Sequence, residues 1–293
     1  MPHTLLYFIA LFSLSTSPNW AKLSQMPVEV LGFYRLSIAA ILVFLIALVL
    51  RKKWPPFNKH LLWALASGSL FFMHLWTYKF ASQNTTVSNT MIIFSSNPVW
   101  TSIGAIVFFN EVFKKRLMVS YLLALTSIYL LVIHDFHLSN NYGDWSALLS
   151  AFFYAGYMLT GKQARTRLDN SVFAVIQYST CAILFGLCVV GKSAPLTGYP
   201  TISWISVAGL VLFPTLLGHL LFTYLVQFMN INLMACGKLI EPVIASILAY
   251  YIFSEKLGDY AWISFLLTSI AVIILFAPAI LSFLKKQFHL FRA

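Results

Sequence analysis

The chain reads as an all-α membrane protein, with ten transmembrane helices arranged as two inverted five-helix repeats. Three observations predict this. Hydrophobic residues fill 60% of the 293 positions and charged residues 9%, with a mean hydropathy of +0.82. A soluble domain carries charge at roughly a quarter of its positions, so lipid must be the solvent for most of this chain. Apolar stretches near the length of about 20 residues that a spanning helix needs follow one another almost without interruption. Finally, a motif recurs. Asn97-Pro98-Val99 leads to Glu111, and Glu241-Pro242-Val243 leads to Glu255, with the pairs Ser102/Ser246, Ile103/Ile247, Ala105/Ala249 and Phe109/Phe253 at the same offset of 144. Thr126-Ser127-Ile128 is echoed by Thr268-Ser269-Ile270.

The spans fall near residues 4–24, 28–50, 60–82, 85–109, 116–134, 143–161, 171–190, 202–227, 230–253 and 259–284. The first lacks a Lys or Arg at its start, so it reads as a retained helix rather than a cleaved signal peptide. Pro27 precedes the second, and Arg51-Lys52-Lys53 closes it. Pro55-Pro56 separates it from the third, and Lys114-Lys115-Arg116 divides the fourth from the fifth. Lys162 follows the sixth, Lys192 the seventh, Pro200 precedes the eighth, and Lys285-Lys286 ends the tenth. Such Pro and short polar breaks are the expected punctuation. Five spans per half is an odd number, so consecutive halves, 1–136 and 143–293, enter the membrane from opposite sides.

Loop charge tests the topology. With the N-terminus inside, thirteen basic residues fall in inner segments and two, Lys192 and Lys256, in outer loops. That bias predicts both termini in the cytoplasm, and the expected location is the bacterial inner membrane. The net charge of +11 therefore orients helices and does not imply nucleic acid. Trp145, Trp204 and Trp262 at outer helix starts, and Trp54 and Trp63 near the inner face, fit an aromatic belt. Cys181, Cys188 and Cys236 lie inside apolar segments without metal spacing and read as small apolar residues.

With these residues in view, the chain resembles the EamA branch of the drug/metabolite transporter superfamily. The likeness rests on ten spans, two halves and the Pro-to-Glu signature ending the fourth helix of each half. Its nearest stretch runs from Gly218-His219 through Glu241-Pro242 to Glu255, and Phe33-Tyr34-Arg35-Leu36 matches the family's second helix. The resemblance implies transport of small metabolites by alternating access, often export of amino acids or amphipathic compounds. Two departures stand out. Thr16-Ser17-Pro18-Asn19 replaces the usual Trp-Gly of the first helix, and Lys238 occupies a position that is apolar in family members.

Ionisable groups at a helix centre cost about 2.5–3.5 kcal/mol each on insertion scales, so they mark candidate sites. Lys238 and Glu241 share one face of the ninth span, near the midplane, beside the kink expected at Pro242. They either neutralise each other or meet a solute, Glu241 taking an amine or a proton and Lys238 an anion. Thr215, His219 and Thr223 form a stripe in the eighth span, with His219 a proton relay or a satisfied core histidine. Arg35 lies about 12 Å into the second span, and its expected partner is Glu241 or a ligand carboxylate. Ser13, Ser17, Trp20 and Ser24 match the spacing of Ser150, Tyr154, Tyr157 and Gly161. Small residues there permit close packing, whereas Trp20, Tyr154 and Tyr157 offer ring faces for a solute. Asn97 is the uncharged repeat partner of Glu241. His74 reads as an isolated core residue, and Lys22 and Lys79 as snorkelling ends.

These features predict a secondary transporter for a small polar or amphipathic metabolite, with an amino acid or related zwitterion foremost and proton coupling open. A carrier for a small organic anion, and a non-transporting or channel-like membrane protein, remain as alternatives. The sequence has no HExxH, GxSxG or P-loop element, so no enzyme activity and no cofactor or metal is expected. The expected partners are a small-molecule substrate and the lipid bilayer, with a homodimer allowed.

Overall fold

The computed structural model describes residues 2–56, 58–84, 90, 93–112, 114–132, 142–254 and 259–290. All the regular structure among the described residues is helical, with no strand. In chain order the helices are α1 (Pro2–Ser15), α2 (Ser17–Leu23), α3 (Val28–Val49), α4 (Lys59–Asn84), α5 (Asn97–Phe109), α6 (Lys115–Val132), α7 (Tyr142–Arg165), α8 (Asn170–Gly191), α9 (Thr201–Leu225), α10 (Ile231–Phe253) and α11 (Ala261–Leu290). Among the described residues, five are long and apolar enough to cross a membrane: α3, α8, α9, α10 and α11 to Pro278. The first expected span is broken at Thr16, just before Pro18, into pieces too short to cross alone. The start of the fourth expected span and Glu255 lie outside the described residues. Helices α4 and α7 are less apolar because they contribute Ser67, His74, Ser150, Tyr154 and Tyr157, all buried inside the bundle.

What the helices show to their surroundings is apolar. Val49, Phe108, Tyr251 and Trp262 are each more than two-thirds exposed. No soluble protein presents such a contiguous greasy jacket, so this surface faces lipid.

The main partner of nearly every helix belongs to the other half of the chain. Helix α4 packs on α7, and α1 packs on the middle of α9. Helix α3 packs on α8, α5 on α7, and α6 on α11. The last contact is sealed by Ser127, whose hydroxyl donates to the Ser264 carbonyl at 2.6 Å while the Ser264 hydroxyl returns a bond to the Ser127 carbonyl at 2.7 Å. Side chains with small footprints allow close approach. An added Cβ at Gly32 would meet the Phe185 ring at 2.7 Å, and one at Gly237 would meet the Tyr7 hydroxyl at 2.4 Å.

Local backbone geometry repeats with the sequence. Outside glycine, the described residues with left-handed φ come in two pairs, Arg51 with Ser193 and Asn110 with Ser254, 142 and 144 positions apart. Each terminates an equivalent helix. Ser102 donates to the Pro98 carbonyl at 2.6 Å, and Ser246 to the Pro242 carbonyl at 2.8 Å. The same solution to the same helix start is thus used twice.

Candidate functional site

Proline chemistry builds the site. A proline inside a helix has no N–H for the carbonyl four residues earlier, so that oxygen needs another donor. Pro242 orphans the Lys238 carbonyl, and the chain tightens into a 3-10 turn over Lys238–Ile240, where the Glu241 N–H bonds to Lys238 O. In a 3-10 turn residues i and i+3 eclipse. Lys238 and Glu241 therefore stack, and Lys238 Nζ lies 2.8 Å from Glu241 Oε1. The pair is a close, buried ion contact, so the Lys238 ammonium is the group that satisfies Glu241 Oε1. Pro98 does the same in the first half. There the Asn97 side chain itself donates to the orphaned Phe94 carbonyl at 3.1 Å, after a turn at Ser95 and Ser96.

Pro214 orphans the Leu210 carbonyl, and α9 widens into a π-helical segment over Val211–Leu220. The Thr215 hydroxyl donates to Leu210 O at 2.7 Å. Its oxygen in turn accepts a 2.7 Å bond from Arg35 Nε. The kink thus exposes a lone pair that holds the guanidinium.

Rings fill the space between these two charged points. The Lys238 ammonium lies 4.5 Å from the Tyr154 ring centroid and 5.7 Å from that of Phe222, close enough for cation–π attraction. Tyr154 meets Tyr157 edge-on at 4.9 Å. Tyr157 Oη and His219 Nδ1 are 3.3 Å apart and share a hydrogen bond. Phe71 packs against both Tyr157 and His219, at 5.0 and 4.8 Å. On the far side Tyr178 donates to the Thr215 carbonyl at 3.3 Å. Phe94, which stands 144 positions before Lys238, touches the same Tyr154 ring at 5.6 Å.

Of the residues expected at a site, Lys238, Glu241, Tyr154, Tyr157 and His219 meet in this cluster. Asn97 is buried at the start of α5, with its Oδ1 unpartnered. Arg35 corrects the expectation for its neighbour. It forms no ion pair with Glu241; the Thr215 hydroxyl holds its Nε, and its Nη2 has no partner at all. The reason is geometric, since Lys238 sits one turn from Glu241 and takes it first. Trp20 joins no hydrogen bond or ring contact of the cluster through its side chain. It stacks on Phe213 at 5.9 Å and covers Gly209, where an added Cβ would meet it at 2.4 Å. Its repeat counterpart Tyr157 lies in the cluster instead.

The structure adds residues. His74 is not isolated: its Nδ1 lies 2.9 Å from Ser150 Oγ, and its ring meets Tyr154 edge-on at 5.1 Å. Its signal was the position of His219, 145 residues on. Phe222, Phe71 and Tyr178 gave no signal, because an aromatic residue in an apolar helix looks like any other. Lys22 reaches Phe253 at 4.8 Å, a ring contact at a helix end. At the ends of α5, α7 and α10, Glu111 accepts from both Lys162 and Asn230. Among the described residues no group of three or more His, Cys, Asp or Glu could hold a metal ion.

An apolar jacket around interrupted helices, with an ion pair buried at the interruption, defines an integral membrane protein with a polar interior site. The family follows from comparison. The EamA-like transporter family matches residues 1–133 and again 141–277, so the chain belongs to that family, within the drug/metabolite transporter superfamily. Its members are membrane transporters rather than enzymes. Among solved structures, one crystal structure superposes with a TM-score of 0.79 over 94% of this chain and 98% of its own, at 16% identity. That likeness concerns the fold. No curated protein matches the sequence significantly.

Proposed function

We propose that the protein is a secondary carrier whose ten spans form two inverted repeats, residues 1–136 and 143–293. It moves a small polar or amphipathic metabolite across the bacterial inner membrane by alternating access, with both termini cytoplasmic. The observation that carries this reading is the Lys238–Glu241 pair, set where α10 is interrupted, with Tyr154 and Phe222 beside the ammonium and Tyr7 of the first half packed on the adjoining Gly237. Ionised groups at a broken membrane helix are costly to insert and belong to solute paths. The cross-half packing of α4 on α7 and α1 on α9 supports halves that rock against each other. Glu111, joined to Lys162 and Asn230, supplies a closure at the end that loop charge assigns to the cytoplasm.

A zwitterion such as an amino acid would place its ammonium near Glu241 and its carboxylate near a base. One observation favours the second reading, a small organic anion: Lys238 already occupies Glu241. Proton coupling through Glu241 or His219 would make flux follow an imposed pH gradient.

The test is counterflow in proteoliposomes. A carrier preloaded with its solute accelerates uptake of labelled solute, and a pore does not. Glu241→Gln is expected to lower exchange by at least about tenfold, whereas Lys79→Met near the end of α4 leaves it within about twofold. Equal rates in the two variants would remove Glu241 from the path.

A further inference from the structure

The two charged points of the cluster are chemically unequal. At one, Lys238 is a tethered ammonium resting on the Tyr154 and Phe222 rings, 2.8 Å from the Glu241 carboxylate. Carboxylate plus ring faces is what a protein offers to the ammonium of a ligand. Here the chain supplies that ammonium itself. At the other point stands Arg35, 6% exposed, with Nε on Thr215 and Nη2 facing no acceptor. Guanidinium stays charged and presents donors in a fork that matches a carboxylate. A buried unmade hydrogen bond from a charged donor is expensive, so an acceptor is called for. Among the described residues none is at hand: Glu29 pairs with Lys192 at 3.4 Å, and Glu241 with Lys238.

Charge counting gives the ligand its sign. Lys238 and Glu241 cancel, and Arg35 is left as one uncompensated positive charge. Between them run Tyr157, Phe71 and His219, a wall of rings. We infer that Arg35 is a carboxylate-binding position and that Lys238 occupies the place of a ligand ammonium, so the site selects monoanionic carboxylates with an apolar or aromatic body over amino acids. The inference deepens the carrier reading and rests on it for the path, though not for binding.

The test uses the purified full-length protein and thermal stabilisation by four probes of one shape: 3-phenylpropionate, its amide, phenylalanine and 2-phenylethylamine. The acid is expected to stabilise the wild type at about tenfold lower concentration than the amide or the amino acid, as one charge-assisted bond implies. That comparison needs no variant. Arg35→Gln should abolish the preference for acid over amide. Lys238→Met should open the ammonium place, so that 2-phenylethylamine and phenylalanine act at about tenfold lower concentration than on the wild type. Acid and amide acting alike on the wild type, or an acid preference that survives Arg35→Gln, would overturn the inference. So would a Lys238→Met protein as indifferent to amines as the parent. Counterflow separates the two claims. Acid-selective binding without counterflow of labelled 3-phenylpropionate would leave the subsite and remove the carrier. Counterflow of phenylalanine unaffected by Arg35→Gln would leave the carrier and remove the subsite.

Discussion

Lys238 and Glu241 hold each other because Pro242 forces a tighter turn beneath them. Breaking a buried pair by removing one partner strands the other charge, at a cost of order 3 kcal/mol. Lys238→Met or Glu241→Gln alone should therefore lower the unfolding midpoint in detergent, and the double variant should recover most of the loss. A double variant no more stable than either single would mean that the two groups act independently. At the aqueous edge, Asp169 caps α8 by accepting from Ser171 N at 2.9 Å and pairs with Lys52 at 2.8 Å. Partial burial raises its proton affinity, but the Lys52 ammonium and the Ser171 N–H outweigh it and hold the carboxyl below its usual range. A depressed carboxyl adds stability that is fully present above about pH 4, the unfolded value, and fades as pH falls through the folded one. Asp169→Ala should cost about 1 kcal/mol at pH 7 and less at pH 3, read from unfolding midpoints at the two pH values.

Helices α5, α9 and α10 each meet a proline and each solve the orphaned carbonyl differently: with an Asn side chain, a Thr hydroxyl, and a 3-10 turn. In α9 the solution doubles as function, because the same Thr215 oxygen accepts from Arg35. Pro214→Ala would restore the α-helical donor of residue 214 to Leu210 O, let the π segment tighten and free Thr215 to turn away. The expected result is a protein at least as stable as its parent with counterflow reduced severalfold, since a helix-interior proline costs about 3 kcal/mol. Unchanged counterflow would show that the π segment does not position Arg35. This element-level detail divides what the sequence makes legible from what it hides. Hydropathy and the 144-residue echo locate the helices, and the Glu-Pro pair predicts the kink beside Lys238. Periodicity also places Tyr154, Tyr157 and His219 on polar faces. Which face meets which is a matter of three-dimensional crossing, so Arg35 could not be matched to Thr215, nor Trp20 separated from the cluster. His74 was readable only by aligning it with His219, a step that depends on knowing which helices correspond.

At the scale of the molecule, duplication explains why the site lies where it does. Equivalent helix breaks at Asn97-Pro98 and Glu241-Pro242 bring matching positions, Phe94 and Lys238, against one Tyr154 ring. One half contributes an apolar ring and the other a charge, so the centre is asymmetric although the scaffold is not. Composition makes the membrane setting legible at once. The number of crossings is less so, because the helices that line the site spend their hydropathy on buried polar groups.

The account stands on the two halves being inserted upside down relative to each other, and equivalent residues can report it. Asn110 and Ser254 end corresponding helices, both in left-handed backbone and both exposed. In a background lacking Cys181, Cys188 and Cys236, single Asn110→Cys and Ser254→Cys proteins would be treated with a membrane-impermeant thiol reagent in intact cells. The expected result is labelling at 254 and protection at 110 until the membrane is permeabilised. Labelling of both positions from the same side would contradict the inverted arrangement and, with it, the path between the halves.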